Sequence, residues 1–338
     1  MRASALSQIP ISVVTGFLGS GKTTLLKSLL ARPEMADTAV VLNEFGEIGL
    51  DHLLIGTSDE SVVELASGCV CCTLRGDLAA TLVDLLARRR AGTLPEFRRS
   101  VIETTGLAEP GPILQVLMND PVLAEATRLD RVTATVDAVN GAATLAAHEE
   151  AVKQTALADR LVLTKSDLLR RPPAKLMARL RALNPAAEIA CSNAADFDVG
   201  ELFGDGKAPA ERLLAWLDGH GAHRHDGHSH HDDIASVSLV REAAIPGVAL
   251  ALFLEMLAEH CGQRLLRLKG IVKLAEAPER PAAIHGVQHV FHPPAWLGAW
   301  PAGDERSRIV LIGKGLPAAW AEALLDSLIE EVAGLQAA

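Results

Sequence analysis

No apolar stretch of the chain approaches the roughly 20 residues that a membrane-spanning helix needs. The first residues also lack the charged start and long apolar run of a secretory leader, so no membrane association is expected and the cytoplasm is the expected compartment. Positive charge is in deficit: 32 Lys and Arg stand against 42 Asp and Glu, a net charge of −10. That balance disfavours nucleic acid as the main partner and suits cations better. A disulfide framework is not expected either, because the five cysteines are odd in number and three of them, Cys69, Cys71 and Cys72, crowd into four positions. Metal binding or thiol chemistry is the better use of such a cluster. What the chain has in quantity is apolar residues, 49% of 338, enough for a substantial core and, by length, for two domains rather than one.

Ile11 to Thr24 reads ISVVTGFLGSGKTT, a β-branched run that opens into a glycine-rich turn and then a leucine-rich helical segment. Gly16, Gly21, Lys22 and Thr23 satisfy G-x-x-x-x-G-K-[ST], the phosphate-binding loop pattern. Its glycines let successive backbone N–H groups face a phosphate, and the following helix adds its positive end. Lys22 can reach the terminal phosphates, and the Thr23 hydroxyl can ligate Mg²⁺. Gly19, Ser20 and Thr24 complete the candidate cofactor-binding set in this stretch. A bare glycine turn would need neither the lysine nor the threonine.

Short apolar runs recur downstream, at Thr38–Leu42, Val62–Leu65, Ser100–Ile102, Val132–Val136, Arg160–Leu163 and Glu188–Ala190, each fit for a buried strand. Several deliver polar residues where ligands of open α/β sheets bind, beyond the carboxyl ends of the strands. After the first come Asn43, Glu44, Glu47 and Asp51, placed to sense a phosphate, Mg²⁺ or a second metal, or to form a solvated acidic loop. After the third comes Glu103-Thr104-Thr105-Gly106. Its acidic residue can hold the Mg²⁺ shell or a water, and its glycine can offer an N–H to a terminal phosphate and move on hydrolysis. After the fifth comes Thr164-Lys165-Ser166-Asp167, similar to the guanine-specificity signature [NT]-K-x-D, in which the Asp carboxylate accepts from guanine N1 and N2. Asp167 thus favours GTP over ATP. The last run ends in Cys191-Ser192-Asn193-Ala194, where Asn193 is a candidate contact to the guanine edge.

Cys69-Val70-Cys71-Cys72 can supply three soft ligands to a tetrahedral Zn²⁺, to Cu(I) or to a related ion. In an extended segment Cys69 and Cys71 share one face and Cys72 the other, so a local turn is needed, which Gly68 makes available. Buried structural cysteine is the plainer alternative.

Strand candidates alternate with helical stretches to about residue 215, which predicts an α/β fold: a mostly parallel P-loop NTPase sheet with helices on both faces over residues 1–215. Residues 216–233 differ. Six of the twelve histidines, His220, His223, His225, His228, His230 and His231, lie there among glycine and aspartate, reading as a flexible linker able to collect metal. From 234 to 338 the pattern is βαβββα, a smaller α+β C-terminal domain, with strands at Ser236–Val240, Leu265–Leu274, Ala283–His292 and Arg308–Ile312, a helix over Val248–His260 and a last helix from about Pro317.

Four features together, Gly16–Thr24, the C-x-C-C cluster, Glu103–Gly106 and Thr164–Asp167, resemble the CobW-type metallochaperone GTPases. The histidine-rich linker, Arg267–Gly270 and Gly286–His292 look like that family's C-terminal domain, so the resemblance covers nearly the whole chain. It implies a SIMIBI-class G domain with GTPase activity. It implies Lys22 and Thr23 for phosphate and Mg²⁺, Lys22, Glu103 and Gly106 for catalysis and switching, and Thr164, Lys165 and Asp167 for the base. Cys69, Cys71 and Cys72 are implied for a transition metal, and Glu47 as a possible further ligand, although Leu42 stands where some members carry a second glutamate. Expected cofactors are GTP, Mg²⁺ and Zn²⁺, or Co²⁺ or Fe²⁺ in cobalamin synthesis or nitrile hydratase maturation, and the expected partner is a client metalloprotein. A metal buffer or sensor without a client is one rival. A small-molecule kinase is another, disfavoured by Asp167.

Overall fold

The computed structural model describes residues 8–30, 32–42, 62–64, 70–73, 77–171, 173–185, 187–191, 197–203, 213–214, 217–218, 234–292, 294–300 and 304–337. The chain forms two compact units. In the first, the strands are β1 (Ile9–Gly16), β2 (Thr38–Leu42), β3 (Val62–Glu64), β4 (Val70–Thr73), β5 (Arg99–Glu103), β6 (Thr127–Asp137), β7 (Arg160–Thr164) and β8 (Glu188–Cys191). The helices are α1 (Lys22–Leu30), α2 (Leu78–Arg90), α3 (Pro110–Asn119), α4 (Pro121–Ala126), α5 (Gly141–Ala147), α6 (Glu149–Leu157) and α7 (Ala174–Leu183).

The eight strands make one sheet in the order β3-β4-β2-β5-β1-β6-β7-β8. All neighbours are parallel except β3, which pairs antiparallel with β4. Both faces of β1 are covered, which is why Ile11, Val13 and Val14 are all buried and the strand does not alternate apolar with exposed polar residues. On one face Val14, Val40, Val101 and Val162 pack with Leu25, Leu26, Leu29 and Leu30 of α1. These four leucines recur at helical spacing, and burying each stabilises the fold by roughly 1.5–3 kcal/mol. On the other face Ile9, Ile11 and Ser100 lie beside Leu82, Leu85 and Leu86 of α2. Asp77 caps α2, its carboxylate accepting from the Ala79 N–H, and Arg88–Arg90 occupy the last turn, where they complement the helix dipole. Because β5, β1, β6 and β7 are adjacent and parallel, their carboxyl ends bring Glu103, Gly16, Asp137 and Thr164 into one row.

Two readings of the sequence change here. The pattern of the cysteine cluster does not mark it as a strand, yet Val70–Thr73 is β4, an interior strand between β2 and β3. In the second unit the run Ala283–His292 is not one strand but a hairpin of β11 (Pro281–Val287) and β12 (Val290–Phe291). Gln288 adopts a left-handed φ of 55° between them, and β11 and β12 pair antiparallel. Periodicity could not show this break, because the turn at 288–289 carries neither glycine nor proline.

The rest of the second unit comprises β9 (Ile234–Arg241), α8 (Gly247–Cys261), β10 (Leu265–Lys273), β13 (Ala295–Trp296), β14 (Ser307–Lys314) and α9 (Ala318–Ala337). Its sheet is antiparallel, ordered β12-β11-β10-β14-β9, with β13 beside β11. Both helices share one core with the sheet: Leu250, Phe253 and Leu257 of α8 and Ala321 and Leu325 of α9 pack with Leu239, Leu268, Ile284, Ile309 and Leu311. His285 and His292 are half-buried and His289 is exposed, and the His292 backbone N–H donates to the His285 carbonyl at 2.9 Å. Among the described residues no helix is long and apolar enough to cross a membrane.

Candidate functional site

β1 ends at Gly16, whose φ of +141° suits glycine, and a Cβ there would lie 2.4 Å from Thr135 Oγ1 and 2.5 Å from the Thr135 carbonyl oxygen. The chain then turns, with the Ser20 N–H donating to the Phe17 carbonyl at 3.0 Å, and passes through Gly21 at φ +92° into α1. Three hydroxyl and ammonium groups from neighbouring strand ends fasten this loop. Ser20 Oγ and Thr135 Oγ1 share a hydrogen bond of 2.7 Å, Thr164 Oγ1 donates to the Ser20 carbonyl at 2.6 Å, and Lys165 Nζ donates to the Gly19 carbonyl at 2.9 Å. Lys22 is buried, and its Nζ folds back inside the loop to donate to the carbonyls of Gly16 at 2.7 Å and Phe17 at 3.2 Å. A buried ammonium beside the N-terminus of α1 makes the loop interior an anion site. Thr24 is exposed on the first turn of α1.

One strand over, β5 presents Glu103, which is 1% exposed, and Thr23 Oγ1 donates to its Oε1 at 2.6 Å. Two hard oxygens in contact at the mouth of a phosphate-loop pattern are a fit donor set for Mg²⁺. Past Glu103 the chain is anchored by the Thr104 N–H, which donates to the Val14 carbonyl at 2.9 Å, and by Thr104 Oγ1, which donates to Thr15 Oγ1 at 2.9 Å. Gly106 then presses against the phosphate loop: a Cβ there would sit 2.6 Å from Leu18 Cα and 2.8 Å from Leu18 N.

On the other side, Lys165 sits at φ +56° and bridges the loop to Asp137, its Nζ 2.7 Å from Oδ2. Asp137 Oδ1 also accepts from the backbone N–H groups of Val139 at 2.7 Å and Asn140 at 3.0 Å, and Oδ2 from Asn140 Nδ2 at 3.1 Å. Burial pushes this carboxyl upward, but the Lys165 hydrogen bond and those from Asn140 and Val139 overcome it and hold the pKa at about 2. Asp167 is exposed in the 3₁₀ turn Ser166–Leu168 that follows Lys165.

The structure thus gathers Gly16, Gly19, Ser20, Gly21, Lys22, Thr23, Glu103, Gly106, Thr164 and Lys165 around one loop, with Asp167 just beyond. Cys71 and Cys72 occupy consecutive positions of β4, in register with Val40 and Val41 of β2. Glu47, Cys69, Asn193 and the six linker histidines, His220, His223, His225, His228, His230 and His231, lie outside the described residues, as do Asn43, Glu44 and Asp51. Among the described residues no group of three metal-ligating side chains occurs.

A cavity of about 230 Å³ opens beside the loop, lined by Phe17, Ser20, Thr135, Asp137, Gln154 and Lys165 among others. Asp137, Phe17 and α6 were not singled out from the sequence. Asp137 carried a usable signal, an acidic residue at a strand's carboxyl end. α6 carried none, yet Lys153 Nζ pairs with Glu109 Oε1 at 2.6 Å and His148 stacks on Phe17 with ring centroids 4.4 Å apart. Burial lowers the Lys153 pKa, but the Glu109 hydrogen bond and the charges of Glu109, Glu149 and Glu150 raise it above its ordinary value.

A parallel sheet with this loop between β1 and α1, an acidic side chain ending the adjacent β5 and a T-K-x-D turn ending β7 defines a P-loop nucleoside triphosphatase fold. Residues 10–190 match the family model described as CobW/HypB/UreG, nucleotide-binding domain, and residues 234–329 match the cobalamin synthesis protein cobW C-terminal domain. The chain is 34% identical over 315 residues to the zinc chaperone YjiA of Escherichia coli, covering 92% of this chain and 96% of that protein. It is 35% identical over 349 residues to the zinc chaperone CobW of Pseudomonas aeruginosa, covering 92% and 89%. The crystal structure of Zn(II)-bound YjiA GTPase from E. coli superposes with a TM-score of 0.73 at 32% identity, over 95% of this chain and 99% of that one. The chain belongs to the CobW/YjiA-type family of metallochaperone GTPases.

Proposed function

We propose that this protein binds and hydrolyses GTP and uses the cycle to deliver Zn²⁺ to a client metalloprotein. Lys22 and the loop amides would hold the phosphates, and Thr23 and Glu103 would hold Mg²⁺, which when bound would supply positive charge to the phosphoryl group. Gly106, already against Leu18, is the part of the β5 loop that responds to the terminal phosphate. Asp167 reads the guanine edge and Lys165 packs beneath it, tied to Asp137. Cys69, Cys71 and Cys72 receive the metal, with the linker histidines at 216–233 as a collecting tract between the two regions that match family models.

The observation that carries this reading is topological. β4, which bears Cys71 and Cys72, is joined edge to edge through β2 to β5, and β5 ends in Glu103 beside the phosphate loop. A change at the β5 loop therefore has a continuous backbone path to the cysteines. Zinc is preferred over cobalt and iron because the full-length relatives above are zinc chaperones. Linkage requires that if GTP changes zinc affinity tenfold, zinc changes GTP affinity tenfold, a coupling of about 1.4 kcal/mol. Competition titration with a chromogenic zinc chelator, in the presence of a non-hydrolysable GTP analogue or GDP, tests it. Different affinities are expected, and equal ones would sink the coupled mechanism. A zinc- and GTP-dependent pull-down that recovers no partner would leave a buffer in place of a chaperone.

A further inference from the structure

Gln154 is 1% exposed on α6 and belongs to none of the motifs described above. Its Nε2 donates to two carbonyls of the β5 loop, Gly106 at 3.2 Å and Ala108 at 3.0 Å. Both amide hydrogens are thereby spent on one short stretch of backbone. Its Oε1 is buried, with no hydrogen-bond partner among the described residues. A buried orphan acceptor is destabilising, and a leucine or methionine of similar size would avoid it. The side chain is therefore suited to this place by its two donors and not by its packing.

Those donors complete a clamp. Upstream of Gly106 the loop is fixed by the Thr104 N–H on the Val14 carbonyl, and downstream by Gln154 and by Lys153 on Glu109. Holding the Gly106 carbonyl fixes the plane of the Gly106–Leu107 peptide, because that unit is rigid and trans. Gly106 at the same time touches the backbone of Leu18, and Phe17 stacks on His148 immediately before α6. One nine-residue helix thus braces both the phosphate loop and the loop that faces it.

We propose that Gln154 is a positioning residue for the terminal-phosphate response: it pre-orders the Gly106 loop against the phosphate loop, so that GTP meets an assembled site. This rests on the GTPase reading above. On this reading Gln154 acts through the Gly106 loop, whose carbonyls it holds, and its replacement leaves Lys22, Thr23, Lys165 and Asp167 unchanged. Gln154→Leu therefore weakens binding of a non-hydrolysable GTP analogue about tenfold, the scale of one to two ordinary hydrogen bonds. GDP affinity stays within about twofold, since GDP lacks the group that the loop senses, and kcat for GTP falls with it.

The test is to measure GDP and GTP-analogue affinities, with kcat and KM, for the wild type, Gln154→Leu and Gln154→Glu. Gln154→Glu keeps the shape but turns an acceptor toward the two carbonyls, so its loss should equal or exceed that of leucine. Selective loss for GTP supports the proposal. Equal loss for GDP and GTP, or no loss for either, overturns it, because a residue that merely stabilises α6 would not discriminate between them. If neither variant folds, hydrogen exchange on the wild type decides: segments 104–109 and 149–157 should gain protection together with the GTP analogue and not with GDP, and independent behaviour overturns the proposal. A wild type that binds GDP and GTP yet hydrolyses nothing and does not distinguish them refutes the GTPase switch and this inference together. A wild type that distinguishes them, with variants that do so equally well, refutes the inference alone.

Discussion

Replacing Asp137 by asparagine removes the charge on which Lys165 and the Asn140 turn converge while keeping the shape. The carboxyl is held at about 2 against an ordinary 3.8, and at about 1.4 kcal/mol per pH unit that difference corresponds to about 2.4 kcal/mol of folded-state preference for the ionised form. The Asp137 side chain is 11% exposed but that of Lys165 is 38% exposed, so water takes up part of the lost partner. The expected cost of Asp137→Asn at pH 7 is therefore about 1–2 kcal/mol. The sign of the pH dependence is fixed by the depressed carboxyl: its contribution is complete above about pH 4 and is lost as pH falls toward 2. The difference between wild type and variant should thus be level from pH 7 to about 5 and shrink below 4. Scanning calorimetry at several pH values measures it. Trp216, Trp296, Trp300 and Trp320 are the only tryptophans, all beyond the phosphate-loop unit, and tyrosine is absent, so intrinsic fluorescence would miss the transition that matters. A cost under about 0.5 kcal/mol at pH 7, or a difference that widens on acidification, would refute the assignment of Asp137 as the ionised anchor of Lys165.

Gly16→Ala places a Cβ 2.4 Å from a threonine hydroxyl and 2.5 Å from a backbone oxygen, so the loop must shift. Nucleotide binding, read by a fluorescent GTP analogue, should fall by more than about tenfold, and unchanged binding would show that the loop yields without cost. Asp167→Asn should weaken GTP by roughly 10- to 150-fold, the range of a hydrogen bond to a charged group, while ATP binding stays as weak as before. Equal GTP affinity in calorimetric titration would move base selection elsewhere.

Legibility from sequence followed the physics of each element. The loop between β1 and α1 was readable because phosphate binding needs glycines, a lysine and a hydroxyl at fixed spacing, Glu103 because it ends an apolar run, and the turn that bears Asp167 because T-K-x-D is itself a fixed spacing. β4 was not, since Cys-Val-Cys-Cys carries a metal-ligand pattern that masks a four-residue strand. The turn at Gln288 was hidden because a left-handed glutamine has no distinctive neighbour. Gln154 was hidden for another reason: a buried amide in a helix announces its role only through partners 46 and 48 residues away.

The register of the first sheet sets a spatial limit on the proposed cycle. Cys72 is level with Val41, Val41 with Ile102, and Ile102 with Val13, so one transverse row runs from the cysteine strand to the strand that ends in the phosphate loop. Three strand spacings make that row roughly 14 Å long. The cysteine strand β4 and the strand β1 that leads into the phosphate loop are thus separate places on one sheet, with β2 and β5 between them. On the proposed function, metal and nucleotide therefore need not compete for one place, and a complex that carries both at once is open to the cycle.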